Sequence, residues 1–459
     1  MESKKANELP LRLLAIALSV GIGASVGIIA VALFLVTGFF TKNWSQKLLG
    51  STSLEYFPYH PVVGISLLLS AVIAGQIILL IENRKPQGPA DLILSAQSDS
   101  DLNVKAGILS SLIASVSLSG GASVGFFGPL VHLGGCLGSY LNTRSKLLSK
   151  DVALGIGAGA AISAVFATPI GAAVFAHEAI IRRFGNLGAG PVLSASFAAY
   201  WVSNLILGDH QLFAVDSVPH LDIQTLFSAI TIGIICGLVS TLYMKSIIKT
   251  SIFASSAGIP IALRPLVPAC VLFMISPLLP QLLGSGMSTI ALSMSGALSL
   301  GIMLALLAGK IAATSLCIGF GYFGGVFGPA LFIGAMVGGC ADAWIAYFDM
   351  GPPTTSYAVL GACCCIAAVI GAPIASVLIA YELTGSYEWA VLSMIGVVTC
   401  TQVSRSLAGR SLFDLQLKLR GLEMQDDKPA FAATQKLLPG ADTQVTPSPT
   451  SYMPNKDPS

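Results

Sequence analysis

The pentapeptide Gly125-Phe126-Phe127-Gly128-Pro129 returns two hundred residues later as Gly325-Val326-Phe327-Gly328-Pro329, inside a chain with uncharged stretches long enough to lie in a bilayer. At the same offset Gly121 pairs with Gly321, Gly134 with Gly334 and Gly138 with Gly338. A second block follows in the same order. Gly157-Ala158, Ile162, Ala164, Val165, Pro169, Ile170, Ala176 and Glu178 reappear as Gly361-Ala362, Ile366, Ala368, Val369, Pro373, Ile374, Ala380 and Glu382. Two blocks repeated in order mean an internal duplication of about half the chain. Where membrane halves are duplicated, and Gly and Pro interrupt apolar segments at equivalent places, a binding site is expected at the interface between the halves.

Only 10% of the 459 residues are charged and 54% are hydrophobic, against about a quarter charged in soluble domains. The expected class is an all-α integral membrane protein. Residues 106–143, 265–309, 311–341 and 350–381 carry no Asp, Glu, Lys or Arg. About 20 apolar residues cross a bilayer as helix, so the longest of these stretches hold more than one helical piece. The 48 glycines and 24 prolines cut them further, which predicts many tilted and broken helices. Lys4, Lys5 and Arg12 precede a long apolar run without a nearby cleavage pattern, which reads as an uncleaved first helix with a cytoplasmic N-terminus. Arg144, Lys146, Lys150, Arg405, Arg410, Lys418 and Arg420 mark further cytoplasmic edges. The lipid bilayer is thus the first partner, and a net charge of +2 gives no reason to expect nucleic acid.

The expected organisation is a cytoplasmic segment at 1–12, a membrane domain at 13–421 and a polar, disordered cytoplasmic tail at 422–459. Repeat one covers about 13–208 and repeat two about 221–410. Within repeat one, a first helix runs to about Trp44 and a second lies near 61–83. A polar, proline-bearing joint spans Arg84 to Leu102, and the repeat core runs from Ala106 to about Phe184. A helix near 189–207 leads to an exposed loop through Asp209, His210, Asp216 and His220. Cys363, Cys364 and Cys365 are consecutive; neighbours on a helix point about 100° apart, so they cannot converge on one metal and are expected as small core residues. His177-Glu178 opens like the zinc protease HExxH motif, but Ile181 stands where the second His must be. No metal, cofactor or enzymatic activity is expected.

Each pentapeptide begins with a Gly and ends with a Pro suited to the first turn of a helix, so each should open one. The backbone N–H groups there have no partner within the helix and carry about half a positive charge from the helix dipole. In a bilayer such ends are tolerated when buried in protein or lining an aqueous cavity. Two of them at equivalent positions make an anion site that needs no Lys or Arg. A single GxFGP is better read as a kink between packed helices; the repeated pair with shared flanks favours the anion site.

On these residues the chain resembles the chloride channel (CLC) family of anion channels and proton-coupled anion exchangers, over about residues 10–421. Gly125 to Pro129 is similar to the family motif GREGP or GKEGP, and Gly324 to Pro329 to GGxFxP. The resemblance implies a CLC-like fold of two inverted repeats and a homodimer with one anion pathway in each subunit. It further implies anion binding around Gly125, Phe126, Phe127, Gly128, Val326, Phe327 and Gly328. In the family a glutamate at the position of Phe127 gates the outer site and carries protons; a phenyl ring cannot ionise. Counted from Pro169, Glu178 takes the first place of the family's acidic pair and Ala179 the proton-transfer place. Lys85-Pro86-Gln87-Gly88-Pro89 is the counterpart of the family's GSGIP or GPGIP, with Pro86 in the selective position, and Phe413 is the counterpart of its pathway tyrosine. Loss of two hydroxyl donors removes about 1 kcal/mol of anion stabilisation each.

The expected function is therefore a passive, proton-uncoupled channel or uniporter for chloride and other small monovalent anions, multi-pass in a cell membrane, with a bacterial inner membrane expected. One alternative is a proton-coupled antiporter using Glu178 or Glu382 as relay. Another is a non-conducting relative plugged by Phe126 and Phe127. Glu178 and Glu382 occupy equivalent places, and a role in capping or bonding neighbouring backbone is expected before proton transfer. Lys310 lies between two apolar runs, where a charge without compensation costs about 3 kcal/mol. It either lends the pathway a positive field or bonds a carboxylate or carbonyl. His132 is expected to be packed.

Overall fold

The computed structural model describes residues 2–45, 61–98, 100–183, 186–208, 219, 221–348 and 357–422. The expected tail after residue 422 and the loop residues Asp209, His210, Asp216 and His220 lie outside them. Repeat one contains α1 (Glu2–Ser45), α2 (Pro61–Leu80), α3 (Pro89–Gln97), α4 (Val104–Ser119), α5 (Phe127–Ser145), α6 (Lys150–Phe166), α7 (Pro169–Phe175) and α8 (Asn186–Leu207). Repeat two contains α9 (Ile223–Ser256), α10 (Leu266–Ile275), α11 (Met287–Met294), α12 (Leu300–Gly319), α13 (Phe327–Tyr347), α14 (Tyr357–Ile366), α15 (Pro373–Thr384) and α16 (Tyr387–Ala408), and α17 (Leu412–Leu419) follows it. The architecture is all-α, and among the described residues seven helices are long and apolar enough to cross a membrane. Others are too short: the twelve residues of α15 reach about 18 Å of the roughly 30 Å hydrocarbon core. This is the broken, tilted pattern that the Gly and Pro content predicts.

The repeated glycines hold each half together. The N-terminal part of α5 lies on α6 as α13 lies on α14, and the contact is backbone on backbone. A Cβ at Gly134 would sit 2.3 Å from the Gly157 carbonyl oxygen, and one at Gly334 would sit 2.1 Å from that of Gly361. Gly138 meets Ala153 in the same way, and Gly338 meets Tyr357. Small residues four apart let membrane helices approach this closely. The two repeated sequence blocks are thus the two faces of one helix–helix contact, built twice. Likewise α1 runs along α8 as α9 runs along α16.

The joint between Arg84 and Leu102 differs from its expectation, because it folds α3. Pro89 occupies the first turn, and the Asp91 carboxylate accepts the Gly88 N–H at 2.9 Å. A proline that needs no donor and an acid on the free amide suffice to start a helix in a polar stretch. Before each pentapeptide, Gly121 and Gly321 take positive φ, 100° and 96°. That left-handed turn suits Gly, and it swings the chain from α4 and α12 into the two motifs.

Candidate functional site

The two pentapeptides meet. Gly125 donates its N–H to Gly325 O at 2.7 Å and Gly325 returns one to Gly125 O at 2.5 Å, forming an isolated antiparallel bridge. From it α5 and α13 start as expected: the first helical bonds run from Leu130 N to Phe126 O and from Ala330 N to Val326 O. The amides that precede those bonds lie in the first turns, where no carbonyl of the helix can reach them. Gly125 is the correction to the expected anion ligands. Its N–H is already bonded to Gly325, so it ties the motifs together and offers no amide to a ligand.

Beside the bridge lies a cavity of 80 Å³, lined by Pro86, Gly88, Asp91, Gly128, Val326, Phe413 and Arg420 among others. Three helix N-termini reach it, since Gly88 caps α3, Gly128 is in the first turn of α5 and Val326 caps α13. Converging helix N-termini give a positive potential without a dedicated cation, which suits a small anion. Four of the expected residues, Pro86, Gly128, Val326 and Phe413, are therefore brought together. Pro86 and Phe413 carry no side-chain hydroxyl, so the walls they form are apolar. Phe413 is held in place by α17, whose N-cap Ser411 accepts the Asp414 N–H, while the Asp414 carboxylate pairs with Arg182 at 2.7 Å.

Phe127 does not line that cavity. Its ring packs on Phe166 (centroids 4.3 Å apart) and on Phe327 (5.5 Å), and Phe166 lies 4.7 Å from Phe327. Phe126 stands at the rim of the cluster, 6.4 Å from Phe127, and Gly328 backs onto the Phe127 ring, where a Cβ would lie 3.6 Å from it. Each such ring pair adds about 0.5–1.5 kcal/mol beyond simple burial. Phe166, at the end of α6, is the member that sequence reasoning missed. The Ala167-Thr168-Pro169 turn that follows marks where its helix ends but not which way its ring points.

The two repeated glutamates act on each other's helices. Glu178 accepts the N–H groups of Ile374 (3.1 Å) and Ala375 (2.8 Å) at the start of α15. Glu382 accepts those of Ile170 (2.9 Å) and Gly171 (2.7 Å) at the start of α7. Each carboxylate thus completes the free amides of the opposite repeat. Reciprocal contacts between equivalent residues are the mark of a two-fold axis, here passing between the halves of one chain. Ala179, buried beside Glu178, carries no ionisable group.

Lys310 is fully buried and donates to the carbonyls of Gly284 (2.7 Å) and Leu282 (3.2 Å), with its nitrogen 5.0 Å over the Phe332 ring. Of its two expected roles the structure gives carbonyl bonding. His132 is buried, with Nε2 3.5 Å from Cys136 Sγ. Cys363, Cys364 and Cys365 are buried in α14, and no cluster of three or more metal-type ligands occurs among the described residues.

Comparison with known proteins bears on the family and the fold. A family model described as voltage gated chloride channel matches residues 70–405. An uncharacterized protein of Methanocaldococcus jannaschii is 27% identical over 354 residues, 77% of this chain and 88% of that one. The H(+)/Cl(-) exchange transporter ClcA of Salmonella paratyphi A is 25% identical over 339 residues, 71% of each chain. The crystal structure of a slow cyanobacterial Cl-/H+ antiporter superposes with a TM-score of 0.78 over 88% of this chain and 97% of that one, at 18% identity; at that distance it speaks for the fold.

Proposed function

The chain belongs to the family of voltage gated chloride channels, and on that premise we propose that it conducts chloride and other small monovalent anions passively, without coupled proton movement. The observation that carries this reading is the fate of the acidic positions. Phe127, which cannot ionise, is packed among Phe166 and Phe327, Ala179 replaces the proton-transfer acid, and Glu178 and Glu382 are engaged as helix caps. A proton relay needs a group that gains and loses a proton within reach of its partners. Both oxygens of each carboxylate are already occupied by backbone N–H groups of the opposite repeat, which fixes them as caps.

In this reading an anion rests in the 80 Å³ cavity, held by the amides at the starts of α5 and α13 and by the dipoles of the three helices that reach it. Passage beyond it requires the rings of Phe127, Phe166 and Phe327 to part, so the aromatic cluster is the outer gate. Without hydroxyl donors at Pro86 and Phe413 binding is weak, which favours release over retention. We assign the protein to a cell membrane, as a homodimer with one pathway in each subunit.

Proton-coupled antiport is the second reading, favoured by the exchange activity in the names of the relatives; it would use Glu178 or Glu382 as relay. Chloride efflux from liposomes holding the purified protein, with valinomycin clamping the potential and a pH electrode recording protons, separates the two. Chloride flux without stoichiometric proton movement is expected. Coupled proton movement overturns the proposal, and silence for chloride and nitrate alike points to a plugged relative.

A further inference from the structure

One acid and one base line the cavity, Asp91 and Arg420, and they are bonded to each other. Arg420 Nη1 donates to Asp91 Oδ1 at 2.5 Å, joining α3 to the C-cap of α17, while Asp91 Oδ2 accepts the Gly88 N–H at 2.9 Å. The carboxylate therefore sits on two donors of the cavity that an arriving anion would use. We propose that Asp91 is a tethered competitor for the permeant anion and Arg420 the receiving cation, so that the pair sets anion affinity on the side of the cavity where α17 lies. This deepens the anion-conduction reading and rests on it.

A purely structural clamp explains the pair less well. The start of α17 is already tied by Arg182 and Asp414, a more buried pair at 2.7 Å. The Arg420 side chain is 43% exposed, and a bridge of that kind adds little to stability. Within a cavity that binds anions, its charge balance is consequential. A carboxylate a few ångströms away repels the anion, and the guanidinium, while engaged with Asp91, offers it fewer donors. Exchange of Asp91 for the incoming anion on Arg420 conserves the number of ionic bonds and leaves the carboxylate on the Gly88 N–H alone, so the ion must outcompete a tethered charge. No covalent step is involved.

The test uses the full chain in detergent, with chloride binding read by titration calorimetry. Asp91→Asn retains the shape and the bond to Gly88 but removes the competing charge, and should tighten chloride binding about tenfold; Arg420→Gln should weaken it about tenfold. Arg420→Lys keeps the charge and should fall between Arg420→Gln and the natural protein, which keeps the test decisive if Arg420→Gln fails to fold. A clamp predicts that both single variants weaken binding together, and shifts of the same sign overturn the proposal, as does chloride binding unchanged by Asp91→Asn. Flux through the unsubstituted protein tests conduction separately: a protein that binds chloride with these opposite shifts yet passes none leaves the Asp91–Arg420 assignment standing and removes the conduction reading.

Discussion

Gly125 and Gly325 each donate a backbone N–H to the other's carbonyl oxygen, so equivalent residues of the two repeats are bonded at the point where both motif helices begin. This bridge joins the two halves of the duplication backbone to backbone. A Cβ at Gly325 would lie 2.6 Å from Gly128 N, and one at Gly125 would lie 2.7 Å from Gly325 O; neither neighbour is a side chain that can turn aside.

Gly325→Ala should therefore destabilise the protein by about 3 kcal/mol or more, the range of overpacking and backbone strain combined. Gly21→Ala is the control, because nothing lies within 4 Å of a Cβ there and Ala favours helix by about 1 kcal/mol. Thermal unfolding followed by fluorescence-detected size exclusion checks both. Equal melting temperatures for the two variants would contradict the bridge.

Phe127→Ala and Phe166→Ala remove rings from the same cluster and should act alike. Phe166→Ala loses two ring contacts and Phe127→Ala loses three, the more distant Phe126 among them. At about 1 kcal/mol for each contact, this corresponds to a rise in anion flux of roughly thirtyfold or more if ring parting limits the rate. Neither residue lines the 80 Å³ cavity, so a change in flux reports the ring cluster and not the cavity walls. A fall in flux with unchanged stability would sink the gate. Phe127→Glu should make flux depend on pH, highest in acid where the new carboxyl is neutral and no longer competes with anions. Proton exchange should stay absent, because Ala179 is unchanged.

Much of this site was legible in the sequence because its chemistry is local. A Gly before and a Pro after mark where a helix starts, and their recurrence marks the repeat. Placing Pro86 and Phe413 opposite each other needed the family resemblance, since no local pattern links residues in α3's approach to those in α17. Three features escaped. Helix α3 is a short apolar segment between polar flanks, and its start depends on one acid and one proline more than on a long apolar period. Phe166 sits in a uniformly apolar run where every residue is buried, so nothing distinguishes its direction. The bond between Asp91 and Arg420 joins residues 329 apart in sequence and is a product of the fold. Gly125 erred in the opposite sense: the pattern marked it correctly as part of the motif, but the bridge to Gly325 uses its amide.

Glu178→Gln and Glu382→Gln test the reciprocal caps. A glutamine oxygen can accept one of the two N–H groups, but its amide nitrogen then faces the other donor, leaving a backbone group without a partner at a cost of about 1–3 kcal/mol. The two variants should lose similar stability, because the geometry is the same in both repeats. Anion flux at a permissive temperature should change little. Loss of a proton signal in Glu178→Gln alone, with stability intact, would instead mark a relay.

Phe413→Tyr and Pro86→Ser place hydroxyl groups at two walls of the cavity. A hydroxyl that donates to an anion there contributes about 1 kcal/mol, or roughly a fivefold gain in affinity. The two walls belong to different elements, α17 and the approach to α3, so the gains should be close to additive if each hydroxyl reaches the ion separately. Tighter binding slows release, and the double variant should accordingly carry less flux at saturating chloride while half-saturating at lower concentration. Measuring flux against chloride concentration in liposomes distinguishes this from simple damage, which lowers the plateau and leaves the half-saturating concentration where it was. A change in the plateau alone would place the ion away from Pro86 and Phe413, and with it the anion position inferred from the convergence of α3, α5 and α13.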